Sequence, residues 1–120
     1  MKSMIFFVLT ILMSVPVAAF GGEFPTGKFV RKLGEMQFAL RFDTDGAYAV
    51  EMNDQVMVGG VYEVSQDTVI VSDKSGERAC PGQGKYVWSY KDKVLSFTLV
   101  SDDCDGRAQA MSSESWLLKE

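Results

Sequence analysis

The chain has 120 residues, a formal net charge of −4 and no histidine. Its few lysines and arginines are scattered, which excludes the phosphate-neutralising surface on which nucleic-acid binding depends. The lack of histidine excludes a Ser-His-Asp triad, a Cys-His pair and any histidine metal site, so the sequence reads as a non-enzyme with no cofactor and no metal.

Residues 1–19 read as a cleaved secretory signal. Lys2 supplies the positive start, Ile5 to Met13 the apolar core, Ser14-Val15-Pro16 a break, and Val17-Ala18-Ala19 the small residues at which a peptidase cuts, here after Ala19. A transmembrane span is the rival reading. The apolar run falls short of the roughly 20 residues a span needs, and Pro16 interrupts its end. No cysteine directly follows the cut to carry a lipid anchor. The expected product is periplasmic or secreted, with no stable membrane anchor. It comprises residues 20–120, one domain of roughly 100 residues with a modest core.

After a short lead containing Gly21-Gly22 and Pro25, strands are expected at Gly27 to Leu33 and Glu35 to Phe42. In the second, Met36, Phe38, Leu40 and Phe42 alternate with Gln37, Ala39 and Arg41, the period of a half-buried strand. Asp43-Thr44-Asp45-Gly46 is a hairpin turn, and Ala47 to Met52 returns. Val56 to Val64 is a strand with a bulge or bend at Gly59-Gly60. Thr68 to Ser72 follows, and then a loop from Glu77 to Gln83. Gly84 to Tyr90 carries Tyr86, Trp88 and Tyr90 on one face. Val94 to Val100 carries Leu95, Phe97 and Leu99 on one face. Ser101 to Gly106 is an acidic loop, and Arg107 to Met111 and Ser115 to Lys119 are expected as closing strands.

Gly-x-aromatic recurs four times: Gly27-Lys28-Phe29, Gly46-Ala47-Tyr48, Gly60-Val61-Tyr62 and Gly84-Lys85-Tyr86. Glycine suits a chain leaving a tight turn, and the aromatic then points into a core. Short strands at intervals of roughly 8–12 residues, with no helical period between them, predict an all-β fold. Sequential hairpins favour a small antiparallel up-and-down β-barrel of about eight strands.

Cys80 and Cys104 are the two cysteines. An even count in an exported chain reads as one structural disulfide. A reactive or metal-binding pair is the alternative, with neither Cys-x-x-Cys spacing nor histidine to support it. Closing a loop of that size is worth about 3–4 kcal/mol in the chain-entropy account. Asp102, Asp103 and Asp105 lack the spacing of a calcium loop. Asp43 to Gly46 copies only the start of an EF-hand loop, so both segments read as solvated turns.

Gly84-Lys85-Tyr86-Val87-Trp88, Leu95 to Asp102, Cys104-Asp105-Gly106-Arg107 and Trp116 together resemble the lipocalin-like branch of the calycins, in particular small exported bacterial members. The resemblance covers most of the chain after the signal. It implies an eight-stranded antiparallel barrel with an internal apolar cavity. Gly27-Lys28-Phe29 stands where lipocalins open with Gly-x-Trp. Arg107 or Trp116 is the candidate for the late arginine–tryptophan stack across the barrel end.

The inward set is expected to include Met36, Phe38, Leu40, Tyr48, Val50, Tyr62, Tyr86, Trp88, Phe97 and Leu99. An eight-stranded barrel is just wide enough to be packed solid or to hold one small ligand. On the second reading Phe38, Leu40, Tyr48, Tyr62, Tyr86, Trp88 and Phe97 line a site for a small hydrophobic ligand. Arg107 either pairs with a ligand carboxylate or ties down the barrel end. A protein-interaction or inhibitor module is the alternative function. It would act through the rim formed by Asp73 to Gly84 and Ser101 to Gly106.

Overall fold

The computed structural model describes residues 23–120. The expected signal segment, residues 1–19, and the expected cut after Ala19 lie outside the described residues.

Eight strands form one closed antiparallel barrel in chain order: β1 Gly27–Leu33, β2 Met36–Phe42, β3 Ala47–Met52, β4 Gln55–Ser65, β5 Thr68–Ser75, β6 Gln83–Lys91, β7 Val94–Asp102 and β8 Trp116–Leu118. Neighbouring strands are joined by tight turns wherever the sequence offers a residue that accepts positive φ. Asn53 and Asp54 (φ 50° and 69°) close β3–β4, and Asp92 and Lys93 (φ 53° and 69°) close β6–β7. Two consecutive left-handed residues match the twist of a two-residue hairpin. The expected all-β barrel with one disulfide is therefore the observed architecture, and Cys80 is bonded to Cys104.

One expected strand is a helix. Arg107 to Met111 lies within α1, Asp105–Ser112. Cys104 is its N-cap: the sulfur accepts from the Arg107 N–H at 3.4 Å, and Asp105 places an acid in the first turn, where the helix dipole favours it. The buried face is Arg107, Ala108 and Met111. Because the largest inward polar residue is an arginine, the apolar stripe that reveals most helices is broken.

The helix completes the barrel wall. β8 pairs with β1 only at Phe29 and Val30, and with β7 only at Val94 and Leu95. Between Arg31–Leu33 of β1 and the later part of β7, α1 packs against β7 in place of further strand. Arg31 pins its far end, donating to the carbonyls of Ala110 (2.9 Å) and Glu114 (3.1 Å) while stacked 4.1 Å from the Trp116 ring.

The two ends of the barrel are built differently. At one end, Phe24 of the lead inserts among Phe42, Tyr62 and Trp88, with ring centroids 5.0, 5.5 and 5.1 Å away. Phe29, Phe97 and Tyr90 extend that packing. The polar tips there tie down turns: Tyr62 donates to the Asp43 carbonyl (2.6 Å) and Trp88 to the Gln66 carbonyl (3.0 Å).

At the other end lie all three register shifts of the barrel. Each adds one residue: Met57 in β4 opposite β3, Lys74 in β5 opposite β4, and Val100 in β7 opposite β6. Bulges bend a strand and re-aim its side chains. Here the bulge at Val100 brings Asp102 opposite Gly84 and turns it inward. Leu99, directly before the bulge and expected inside, is 45% exposed. Met36, likewise expected inside, is 38% exposed on the same rim.

Candidate functional site

A cavity of about 510 Å³ occupies the bulged end, within the roughly 300–1,000 Å³ typical of small-molecule sites. Its walls come from the inner faces of β2, β3 and β4 and from α1. Phe38, Leu40, Val50, Met52, Met57, Val58, Met111 and Trp116 make it chiefly apolar. Four of its apolar residues are methionines, counting Met36 at the mouth. Methionine is flexible and polarizable, which suits a lining that adapts to its occupant.

One flank of the cavity is a buried polar cluster centred on Arg107, which is only 8% exposed. Its Nε and Nη2 donate to the two carboxylate oxygens of Asp102, both at 2.8 Å. Its Nη1 sits 3.4 Å from Asp73 Oδ1 without a hydrogen bond of good geometry. Each aspartate also accepts from a tyrosine and from a cysteine of the disulfide. Tyr48 donates to Asp73 and Tyr86 to Asp102. The Cys80 N–H reaches Asp73 at 2.8 Å, and the Cys104 N–H reaches Asp102 at 2.9 Å.

Glycines make room for this cluster. A Cβ on Gly84 would fall 2.3 Å from Asp102 Oδ2, and one on Gly60 would fall 2.1 Å from the Ser72 carbonyl and 2.9 Å from the Tyr48 ring. No larger residue fits without moving backbone or the carboxylate. The Gly-x-aromatic repeat thus has a second meaning at Gly84-Lys85-Tyr86, since its glycine admits the aspartate that its tyrosine bonds.

The electrostatics follow from burial and partners. Burial works to raise the Asp102 pKa. The hydrogen bonds from Arg107, Tyr86 and the Cys104 N–H outweigh it and hold the carboxyl below its ordinary value. Burial, reinforced by the neighbouring carboxylates, pushes the phenols of Tyr48 and Tyr86 far above theirs. The Asp102 contact raises the Arg107 pKa further, so that guanidinium is a fixed charge.

The sequence-derived site residues divide between the two ends. Phe38, Leu40, Tyr48 and Arg107 line the cavity. Tyr62, Trp88 and Phe97 belong to the aromatic packing of the opposite end. Tyr86 lies behind Arg107, bonded to Asp102. Sequence reasoning placed Met36 on the inward face but missed Asp73, Arg31, Arg78, Met57 and Met111. Asp102 reads as a loop residue because its inward placement depends on the bulge at Val100, whereas Asp73 continues the inward alternation of Val69 and Val71 and reads as a turn residue because Asp73-Lys74-Ser75-Gly76 has turn composition. Among the described residues no group of His, Cys, Asp or Glu is arranged to hold a metal ion, and no helix is long and apolar enough to cross a membrane.

No family model, no curated protein and no solved structure matches the chain.

Proposed function

We propose that this is an exported, lipocalin-like barrel that binds a small hydrophobic molecule in its one-ended cavity. The observation that carries the reading is the contrast within a single barrel. One end is filled by interlocking aromatics, while the other keeps about 510 Å³ open between apolar walls of ordinary side-chain size. Genuine interiors are close-packed, with few voids larger than a water molecule, so an open apolar space of this volume suits an occupant. Further support comes from the Arg31–Trp116 stack. It joins the same two residue types as the lipocalin stack, in reversed chain order and beside the open cavity rather than across the closed end. The disulfide fits an oxidising compartment, periplasmic or extracellular.

The disulfide and the polar cluster hold the cavity open. Cys104 anchors the start of α1, Arg107 ties its first turn to β5 and β7, and Arg31 fastens its end. The helical wall therefore cannot collapse onto β2–β4. Preorganisation of this kind lowers the cost of binding.

An environment-sensitive apolar dye titrated into the mature protein tests the reading. Saturable binding at one site is expected, lost in Val50→Phe, which places a ring in the cavity. Native mass spectrometry of protein purified from its export compartment without detergent should show a non-covalent adduct that denaturation removes. Absence of both signals would falsify the proposal. It would shift weight to an interaction role for the cavity rim, where Leu33 and Val56 stand 58% and 55% exposed.

A further inference from the structure

We infer that the occupant of the cavity is a single-chain amphiphile with an anionic head, and that Arg78 at the mouth is the residue that reads that head. The inference rests on the ligand-binding reading above. Three arginines and one aspartate are the charged residues lining a chiefly apolar cavity, in a protein whose overall charge is negative. Two of the three cations are already engaged. Arg107 spends two donor nitrogens on Asp102 and turns the third to Asp73, and that third nitrogen is sealed from contact. Arg31 lies against Trp116 with its donors on the carbonyls of Ala110 in α1 and of Glu114 just beyond it. The lone lining carboxylate, Asp73, faces Tyr48, the Cys80 N–H and Arg107, so it does not neutralise the mouth.

Arg78 is different. Its side chain is exposed, and among the described residues no carboxylate pairs with it. Yet the loop that carries it is built in. Gly76 approaches β4 so closely that a Cβ there would fall 2.1 Å from the Met57 carbonyl. The Arg78 N–H points at that same carbonyl at 3.4 Å, and the Ala79 N–H bonds Gly76 at 3.3 Å. Two residues on, the disulfide and the Cys80–Asp73 bond fix the other end of the loop. A short turn anchored at both ends thus holds Arg78, which no carboxylate pairs among the described residues, with its backbone against Met57 at the exposed edge of an apolar chamber. Guanidinium pairs best with carboxylate, sulfate or phosphate oxygens. A chain that fills the chamber and ends in such a group satisfies both features at once.

The test compares decanoate, methyl decanoate and decyltrimethylammonium, each below its micelle concentration, as competitors of the apolar dye. The wild-type protein should prefer decanoate over the ester by about fivefold, given a charge-assisted but solvent-exposed pair. It should bind the cation most weakly, and the preference should shrink as salt rises. Arg78→Gln should bring the acid-to-ester ratio to about one, Arg78→Lys should keep part of it, and Arg78→Glu should invert it, with circular dichroism confirming the fold in each. Equal affinities for acid and ester in the wild type, or a preference that survives Arg78→Gln, overturn this inference while leaving the cavity reading intact. If neither the dye nor any competitor binds, the cavity reading falls and this inference with it. Flotation with phosphatidylglycerol vesicles separates a free amphiphile from a membrane headgroup. The protein should not float, and flotation that Arg78→Gln abolishes would overturn the free-amphiphile assignment.

Discussion

The two ends of this barrel bury similar kinds of residue and use them differently. At the aromatic end the strands run in regular register, and rings fill the space to the point that Phe24, from outside the sheet, completes the packing. At the cavity end three bulges widen and twist the wall, a helix replaces part of a strand, and a charged cluster takes over from apolar packing. Regular hairpins give a solid core. Departures from regularity make a space and then need dedicated bonds to hold it. Under that division of labour the same type of substitution should act differently at the two ends.

The largest effect is expected at the cluster. Asp102→Ala leaves Arg107 buried with its main counter-charge gone, and breaking a buried pair in this way costs about 3–5 kcal/mol. Urea denaturation should show that loss. A much smaller loss would mean that solvent reaches Arg107 when its partner is removed. Phe42→Ala at the aromatic end should cost a comparable amount, about 3–5 kcal/mol, by leaving a hole among rings. The two variants should separate on dye binding, which Phe42→Ala leaves in place and Asp102→Ala weakens as α1 loosens. Removing the disulfide by Cys80→Ala with Cys104→Ala should follow, at about 3–4 kcal/mol.

A sharper comparison adds volume instead of removing it. Val69 is fully buried among packed side chains at the aromatic end, whereas Val50 faces the cavity. Val69→Phe should cost about 1–3 kcal/mol, as overpacking does in a filled core. Val50→Phe should leave stability within about 1 kcal/mol while abolishing dye binding. Equal losses in the two variants would mean that the cavity wall is as rigid as the core.

How far these differences can be read from sequence also divides by end. Alternation from Met36 to Phe42, the Asp43–Gly46 turn and the Gly-x-aromatic units are local signals, and they correctly give hairpins, strand order and barrel closure. Leu40, Phe42, Tyr86 and Phe97 are buried as alternation requires. The cavity end is legible only in part. The period-2 rule leaves Asp102 in a loop, because one inserted residue at Val100 inverts the phase of everything after it. Arg107 to Met111 looks like a strand because an inward arginine hides the helical face. The cluster joins Tyr48, Asp73, Asp102 and Arg107 from three strands and a helix, and such a juxtaposition exists only once the barrel has closed.

Titration offers a third way to set the ends apart. Asp102 has a lowered native pKa, so its contribution is complete above the unfolded carboxyl value of about 3.9 and is lost as pH falls through the native value. The Tyr48 and Tyr86 phenols have raised native pKa values, so their contribution is complete below the unfolded phenol value of about 10 and is lost as pH climbs above it. Stability should therefore decline at both extremes. Absorbance near 295 nm (phenolate formation) should show two tyrosines that titrate only as the protein unfolds. Tyr86→Phe should remove one of them and soften the alkaline decline. Full ionisation of every tyrosine in folded protein would mean that the cluster is open to solvent.

The smallest effect is expected at a turn of the aromatic end, far from the cavity. Lys93 holds φ at 69°, a conformation that costs any residue with a Cβ and costs glycine little. Its carbonyl accepts from the Leu118 N–H at 2.9 Å, so the backbone position is fixed by barrel closure rather than by the side chain. The lysine does pair with Glu120, but both groups are more than half exposed, and such pairs add little. Relief of strain should then slightly outweigh the lost pair and the extra freedom glycine gives the unfolded chain. Lys93→Gly should raise stability by about 0.5 kcal/mol, or roughly 2–4 °C in Tm for a domain of this size, with dye affinity unchanged. A measured loss would show that the Lys93–Glu120 contact, by holding the chain end beside β1, contributes more to closing the barrel than an exposed pair ordinarily does.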